Sequence, residues 1–219
     1  MNTISNNPKK QSSAAISKSH SGSSNTKMMI MAAVFAALTA VCSQIQIPLA
    51  PVPINLATFA IFITAGLLGK RWGTVSLIVY VLLGAVGLPV FAGFTGGFGI
   101  ITGPTGGYII GYIFTAFITG YLIEFFSRKK TPANIPECSV NEAGGTPSYP
   151  LLALAMAAGL AVCYLLGTIW FIYLTGWTLG KALMSCVIVF LPGDALKIIA
   201  ACILVKRLWP AAHRFRTGS

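Results

Sequence analysis

Acidic side chains are nearly missing from this chain: four Asp and Glu stand against fifteen Lys and Arg in 219 residues. Charged residues of either sign make up only 9%, against roughly 25% in soluble domains, while apolar residues reach 55%. That balance excludes a water-soluble globule. Histidine is confined to His20 and His213, in the polar ends. The five cysteines, Cys42, Cys138, Cys163, Cys186 and Cys202, form no C-x-x-C and have no companion His cluster, so neither a zinc site nor a disulfide framework is encoded. Four of them fall in apolar segments, where Cys behaves as a small hydrophobe. G-x-x-x-x-G-K-[ST], H-E-x-x-H and G-x-S-x-G do not occur, which removes ATP hydrolysis and leaves little for catalysis. The net charge of +11 could suggest nucleic acid, but the basic residues lie between apolar segments rather than along one stripe. No nucleic-acid partner, metal or cofactor is expected.

Long apolar segments are what the chain does have. Mean hydropathy is +0.79, and several stretches reach the roughly 20 residues needed to cross a bilayer. The pattern predicts an all-α integral membrane protein with six transmembrane helices. Their spans are about 28–47, 54–69, 72–91, 105–126 and 150–175, with a sixth from P-G-D to about 208. Residues 1–27, rich in Ser, Asn and Lys, predict a disordered cytoplasmic tail rather than a cleaved signal. Residues 28–208 form the transmembrane domain, residues 209–219 a basic C-terminal tail, and residues 127–149 a polar loop. An even number of spans puts both ends on one side. Thirteen of the fifteen basic residues share that side, and only Lys181 and Lys197 fall toward the other. By the positive-inside rule both termini are cytoplasmic, in a multi-pass protein of the cell membrane surrounded by lipid.

The connections opposite the cytoplasm are unusual. They are "PLAPVPIN", the stretch 176–191, and "GLPVFAGFTGGFGIITGPTGGY", residues 87–108, which holds eight glycines. Non-helical backbone near membrane depth is tolerated where it lines a cavity or is buried in protein. "GPTGGY" gathers backbone N–H groups at a helix start, which favours negative charge. Tight helix packing through glycine explains the same composition, and both explanations stand on sequence.

One ionisable pair interrupts the apolar last quarter: Asp194 and Lys197 in "FLPGDALKII". A central Asp or Lys costs about 2.5–3.5 kcal/mol to insert in a bilayer, and such residues usually face a cavity. Three residues apart on a helix they share a face, with Asp194 in a first turn that Pro192 suits. A structural ion pair near the interface, a proton relay, and a polar anchor for a small solute entering from outside are the three readings. A second motif lies in the first span, where "AAVFAALTA" places Ala32, Ala36 and Ala40 on one stripe with Ala33 and Ala37 alongside. Small residues four apart let another helix approach, either from within the bundle or from a partner.

"PVPINL", the glycine run and "LPGDALK" together resemble the BioY family, the biotin-binding S component of energy-coupling-factor (ECF) transporters, over about residues 28–208. The resemblance implies a six-helix S-component bundle that binds biotin near its outer face. It places the ligand-contacting roles of P-G-D-x-x-K on Asp194 and Lys197, and gives Gly103, Pro104, Thr105, Gly106, Gly107 and Tyr108 a part in shaping the pocket. A carboxylate that accepts the N–H groups of a ureido ring and an ammonium that donates to a ligand oxygen fit that role; which end of biotin each holds stays open. Two positions depart from many relatives. Ala57 stands where they carry Gln, and Thr95 where they carry Arg or Ser, so Asn55 and Thr58 become the candidates to compensate. The resemblance also implies that Ala32, Ala36 and Ala40 contact a transmembrane coupling subunit, which works with ATPase subunits. The expected function is capture of biotin from outside and its inward delivery with that ECF module. A stand-alone biotin carrier is the nearest alternative; a membrane enzyme and a purely structural membrane protein are more distant ones.

Overall fold

The computed structural model describes residues 8–47, 52–129 and 148–217. Seven helices dominate it: α1 (Pro8–Gln44), α2 (Ala57–Ala85), α3 (Phe98–Thr102), α4 (Gly106–Lys129), α5 (Tyr149–Thr175), α6 (Leu179–Leu183) and α7 (Leu191–Thr217). A π-helical turn, Met184–Ile188, joins α6 to α7. Strands β1 (Gln46–Ile47) and β2 (Ile54–Asn55) pair antiparallel, Gln46 with Asn55 and Ile47 with Ile54. This short ribbon modifies the purely helical expectation. Its hydrogen bonds satisfy backbone that the proline-rich sequence keeps out of a helix.

Among the described residues five helical segments are long and apolar enough to cross a membrane: Asn25–Gln44, Ala57–Ala85, Gly106–Ser127, Tyr149–Thr175 and Leu179–Ala212. Large apolar side chains point outward from them, among them Met29, Val34 and Val41 on α1, Leu165 and Ile169 on α5, and Leu196 and Ile199 on α7. Exposed apolar surface on this scale suits lipid and not water.

Helix α2 is not one straight rod. Gly69 sits at φ 75°, ψ −174°, a conformation open to glycine and costly for other residues. A Cβ on Gly73 would come 3.2 Å from the Cα of Ala65, although eight residues of straight helix separate their ends by about 12 Å. The chain therefore reverses at Gly69, and the arms 57–68 and 70–85 lie side by side. Glu124 of α4 closes the reversal. Its Oε1 accepts the N–H of Lys70 at 3.0 Å, and its Oε2 lies 3.9 Å from the Lys70 ammonium.

Both polar ends depart from expectation. The tail expected over 1–27 is helical from Pro8 onward, because an established helix adds one hydrogen bond per residue as it propagates. Residues 1–7 lie outside the described residues. At the other end α7 runs through Pro210 to Thr217 instead of giving way to a tail at 209, held by the buried Trp209. Most of the expected 127–149 loop, including Glu137, Cys138 and Glu142, also lies outside the described residues, as does the segment 48–51.

The core falls into two layers. One gathers Met28, Ala32, Phe35, Phe62, Leu152, Val205 and Trp209; the other gathers Ile61, Tyr80, Phe91, Tyr108, Tyr112, Phe171 and Phe190. Helix α5 starts with proline in its first turn and stops at Gly176, whose φ of 68° is left-handed, the usual proline–glycine asymmetry of helix ends. It packs closely on α4, where a Cβ on Gly107 would overlap the Trp170 side chain at 2.3 Å.

The alanine stripe turns inward. Ala32 and Ala36 are each 2% exposed, Ala32 O accepts the Ser76 hydroxyl from α2 at 2.8 Å, and Ala40 packs against the core. The partner contact expected on Ala32, Ala36 and Ala40 is corrected accordingly: these residues seat α1 on α2. Ala33 and Ala37, one position on and about 100° around the helix, are the exposed pair.

Candidate binding site

Asp194 and Lys197 lie where α7 meets the start of α2 and the middle of α5. The N–H of Asp194 donates to Phe190 O at 2.9 Å, which fixes the first turn of α7 and turns the carboxylate inward, where the residue is 3% exposed. Lys197 reaches back one turn to Asp194 Oδ1 at 2.8 Å. Its ammonium also donates to the backbone carbonyl of Asn55 at 2.6 Å and to Thr58 Oγ1 at 3.2 Å. Thr58 Oγ1 in turn lies 3.2 Å from Asp194 Oδ1 as a donor. The Tyr164 hydroxyl of α5 donates to Oδ2. Both charges are thus buried with partners, the condition under which a low-dielectric interior tolerates them.

Asn55 works twice. Besides its backbone carbonyl, its side-chain Oδ1 accepts the N–H of Ala57 at 3.1 Å, an Asx turn that leads into α2.

Two cavities open against this network and share Val52, Pro53, Asn55, Tyr108 and Tyr112. The smaller, about 40 Å³, lies against Thr58, Tyr164, Asp194 and Lys197, with Cys163, Cys186 and Phe190 closing it. The larger, about 130 Å³, is walled by Tyr80, Phe91, Tyr108 and Tyr112, with Thr95 and Thr105 at its polar edge. Tyr80 and Phe91 meet edge to face at 5.7 Å between ring centres, a favourable aromatic geometry. The end of α1 holds the loop that carries Phe91: Ser43 Oγ donates to Val90 O at 2.6 Å, and the Gln44 amide donates to Phe91 O at 3.0 Å and accepts from Phe94 N–H at 2.8 Å. The reversal at Gly69 is what brings Asn55, before α2, and Tyr80, late in it, to one cavity.

The "GPTGGY" residues divide. Thr105 and Tyr108 line the cavities, and the Tyr108 hydroxyl lies 3.3 Å from Thr168 Oγ1. Gly103 serves the wall through its carbonyl, which accepts the Trp170 indole N–H at 3.0 Å. Gly106 and Gly107 are buried helix-packing positions, and Pro104 is exposed and lines neither cavity. Of the two departures, Ala57 is buried in the core layer and lines neither cavity, whereas Thr95 stands at the edge of the larger one. Asn55 and Thr58 both contact Lys197 and line the smaller cavity.

Sequence reasoning missed Tyr164, Tyr80, Tyr112 and Phe91. Tyrosine deep in an apolar span is the available signal, since a buried hydroxyl needs a partner, but no spacing ties Tyr164 to Asp194, thirty residues on. Among the described residues no group of His, Cys, Asp and Glu could hold a metal ion.

Residues 11–214 match the family model described as BioY family. The biotin transporter BioY of Thermotoga maritima is 37% identical over 182 residues, covering 83% of this chain and 95% of that protein. The probable biotin transporter BioY of Pyrococcus horikoshii is 35% identical over 182 residues, with 83% and 96% covered. Among solved structures, the S-component for biotin from an ECF-type ABC transporter superposes with a TM-score of 0.69 at 29% identity, covering 84% of this chain and 91% of that one.

Proposed function

This chain belongs to the BioY family, and on that premise we propose that it is a biotin-binding membrane subunit that captures the vitamin and delivers it inward with an ECF energising module. The observation that carries this reading is the buried Asp194–Lys197 pair, held by groups from α2 and α5 and open to an aromatic-walled cavity. The Asp194 carboxylate can accept the N–H groups of a ureido ring, and aromatic walls suit the apolar remainder of the ligand. Asn55, Thr58, Thr105 and Tyr108 complete the site; Gly103, Gly106 and Gly107 shape it.

The chain crosses the membrane six times in this reading. The reversal at Gly69 splits α2 into two crossings, which adds one to the five apolar helices. Lys70, Arg71, Lys206 and Arg207 then mark the cytoplasmic end, together with both termini, and the cavity faces outward. The coupling protein docks on the exposed side of α1, at Ala33 and Ala37, rather than on the buried stripe.

Uptake of labelled biotin by cells that cannot make the vitamin tests the reading. With the ATPase and coupling subunits present, uptake is expected to exceed that of cells lacking them severalfold. Equal uptake without them would favour the stand-alone carrier.

A further inference from the structure

Charge is what the ligand cavities lack beyond one self-neutralising pair. Among the described residues lining the two cavities, only Asp194 and Lys197 are charged. The Lys197 ammonium has three protons and makes three contacts, to Asn55 O, Thr58 Oγ1 and Asp194 Oδ1. Asp194 takes contacts on both oxygens. The pair sums to zero and offers no uncompensated cation.

Among the described residues no other cation lines the cavities. Lys181, placed toward this end by the sequence, holds its ammonium 4.3 Å over the Trp177 ring and lines neither cavity. Residues 48–51, which lead into Val52 and Pro53, are Pro, Leu, Ala and Pro and carry no charge. At the start of α4 three N–H groups are taken within the turn: Gly106 donates to Gly103 O at 3.0 Å, Tyr108 to Thr105 O at 3.1 Å and Ile109 to Thr105 O at 3.2 Å. At the edge of the larger cavity stands Thr95, solvent-exposed, its hydroxyl donating to Ala92 O at 3.0 Å.

A ligand with a carboxylate tail meets two constraints here. Beside Asp194 and Lys197 the tail meets charges that already cancel, and inside the aromatic chamber it loses water without gaining an uncompensated counter-charge. We propose that the site recognises biotin through its uncharged groups alone and leaves the carboxylate hydrated at the mouth beside Thr95, so that neutral-tailed biotin derivatives bind as well as biotin. This rests on the biotin-binding reading above and specifies its ligand class: ureido-ring compounds, whatever the charge on their tail.

Competition against labelled biotin on the full chain in detergent tests it, with biotin, biotin methyl ester and biotinamide as competitors. The three are expected to agree within about threefold, since a charge-assisted contact made only by the acid would separate them by about tenfold or more. A neutral derivative weaker than biotin by tenfold or more would overturn the proposal. Lys181→Met is expected to leave biotin binding unchanged; loss of biotin binding with ester binding retained would assign Lys181 to the carboxylate and overturn it. Thr95→Arg places a cation at the mouth and is expected to tighten biotin about tenfold while leaving the ester as it was. An equal effect of Thr95→Arg on both compounds would contradict a carboxylate at the mouth. Absence of binding by all three compounds would instead overturn the functional reading, and this proposal with it.

Discussion

Lys197 ties two distant parts of the chain together: its ammonium lies 2.8 Å from Asp194 Oδ1 on its own helix and 2.6 Å from the backbone carbonyl of Asn55, 142 residues earlier. The pair is therefore a joint between α7 and the entry to α2 as well as a ligand site, and substitutions there act on both.

Asp194→Asn is expected to weaken biotin binding by about tenfold to a hundredfold, the loss of charge-assisted acceptance. It also strands the buried ammonium, and removing one partner of a buried pair destabilises by about 3–5 kcal/mol. Calorimetric titration and thermal unfolding of the same preparation separate the effects. Adding Lys197→Met to Asp194→Asn removes the stranded charge and is expected to restore much of the stability without restoring binding. Parental affinity in the double variant would make the pair purely structural.

Tyr164→Phe deletes one hydroxyl donor to Asp194 Oδ2 and little volume. A hydrogen bond to a charged group contributes about 1.5–3 kcal/mol, so affinity is expected to fall by about tenfold or more while extraction yield and helicity stay parental. Unchanged affinity would show that the carboxylate is positioned without Tyr164.

Much of this arrangement was legible in the sequence. The apolar spans and the Asp194–Lys197 spacing follow from composition and helical period, whereas Asn55, Thr58, Thr105 and Tyr108 became candidates only through the family resemblance. The reversal at Gly69 is visible as a span boundary at "GKRWG" because charge interrupts the apolar run. The facing of α1 was not legible. Ala32–Ala36 and Ala33–Ala37 are equally spaced, and only the packing of α2, with Ser76 donating to Ala32 O, decides which pair turns inward. Tyr164 was hidden for a similar reason, since its partner comes from another helix and no local period links them.

That facing sets a contrast between neighbours. Ala32→Leu and Ala36→Leu overpack a filled contact and are expected to cost about 1–3 kcal/mol, read as a lower unfolding temperature. Ala33→Trp and Ala37→Trp project outward and are expected to leave folding and biotin binding unchanged while reducing co-purification with the coupling subunit and uptake in cells. Parental uptake with both tryptophans present would remove this face from the partner contact.

Gly69→Ala forces a side chain into φ 75°, ψ −174°, a region essentially reserved for glycine that costs an L residue about 1–3 kcal/mol. Unfolding temperature is expected to fall. Full stability in Gly69→Ala would contradict a reversal at that residue.

The most direct measurement is calorimetric titration of the purified chain with biotin, run beside a panel of other vitamins and repeated on the Asp194→Asn/Lys197→Met variant. Saturable heat with biotin alone, lost in the variant, is the result this account predicts. Silence with biotin, or saturable heat from a different vitamin at the same site, would contradict it.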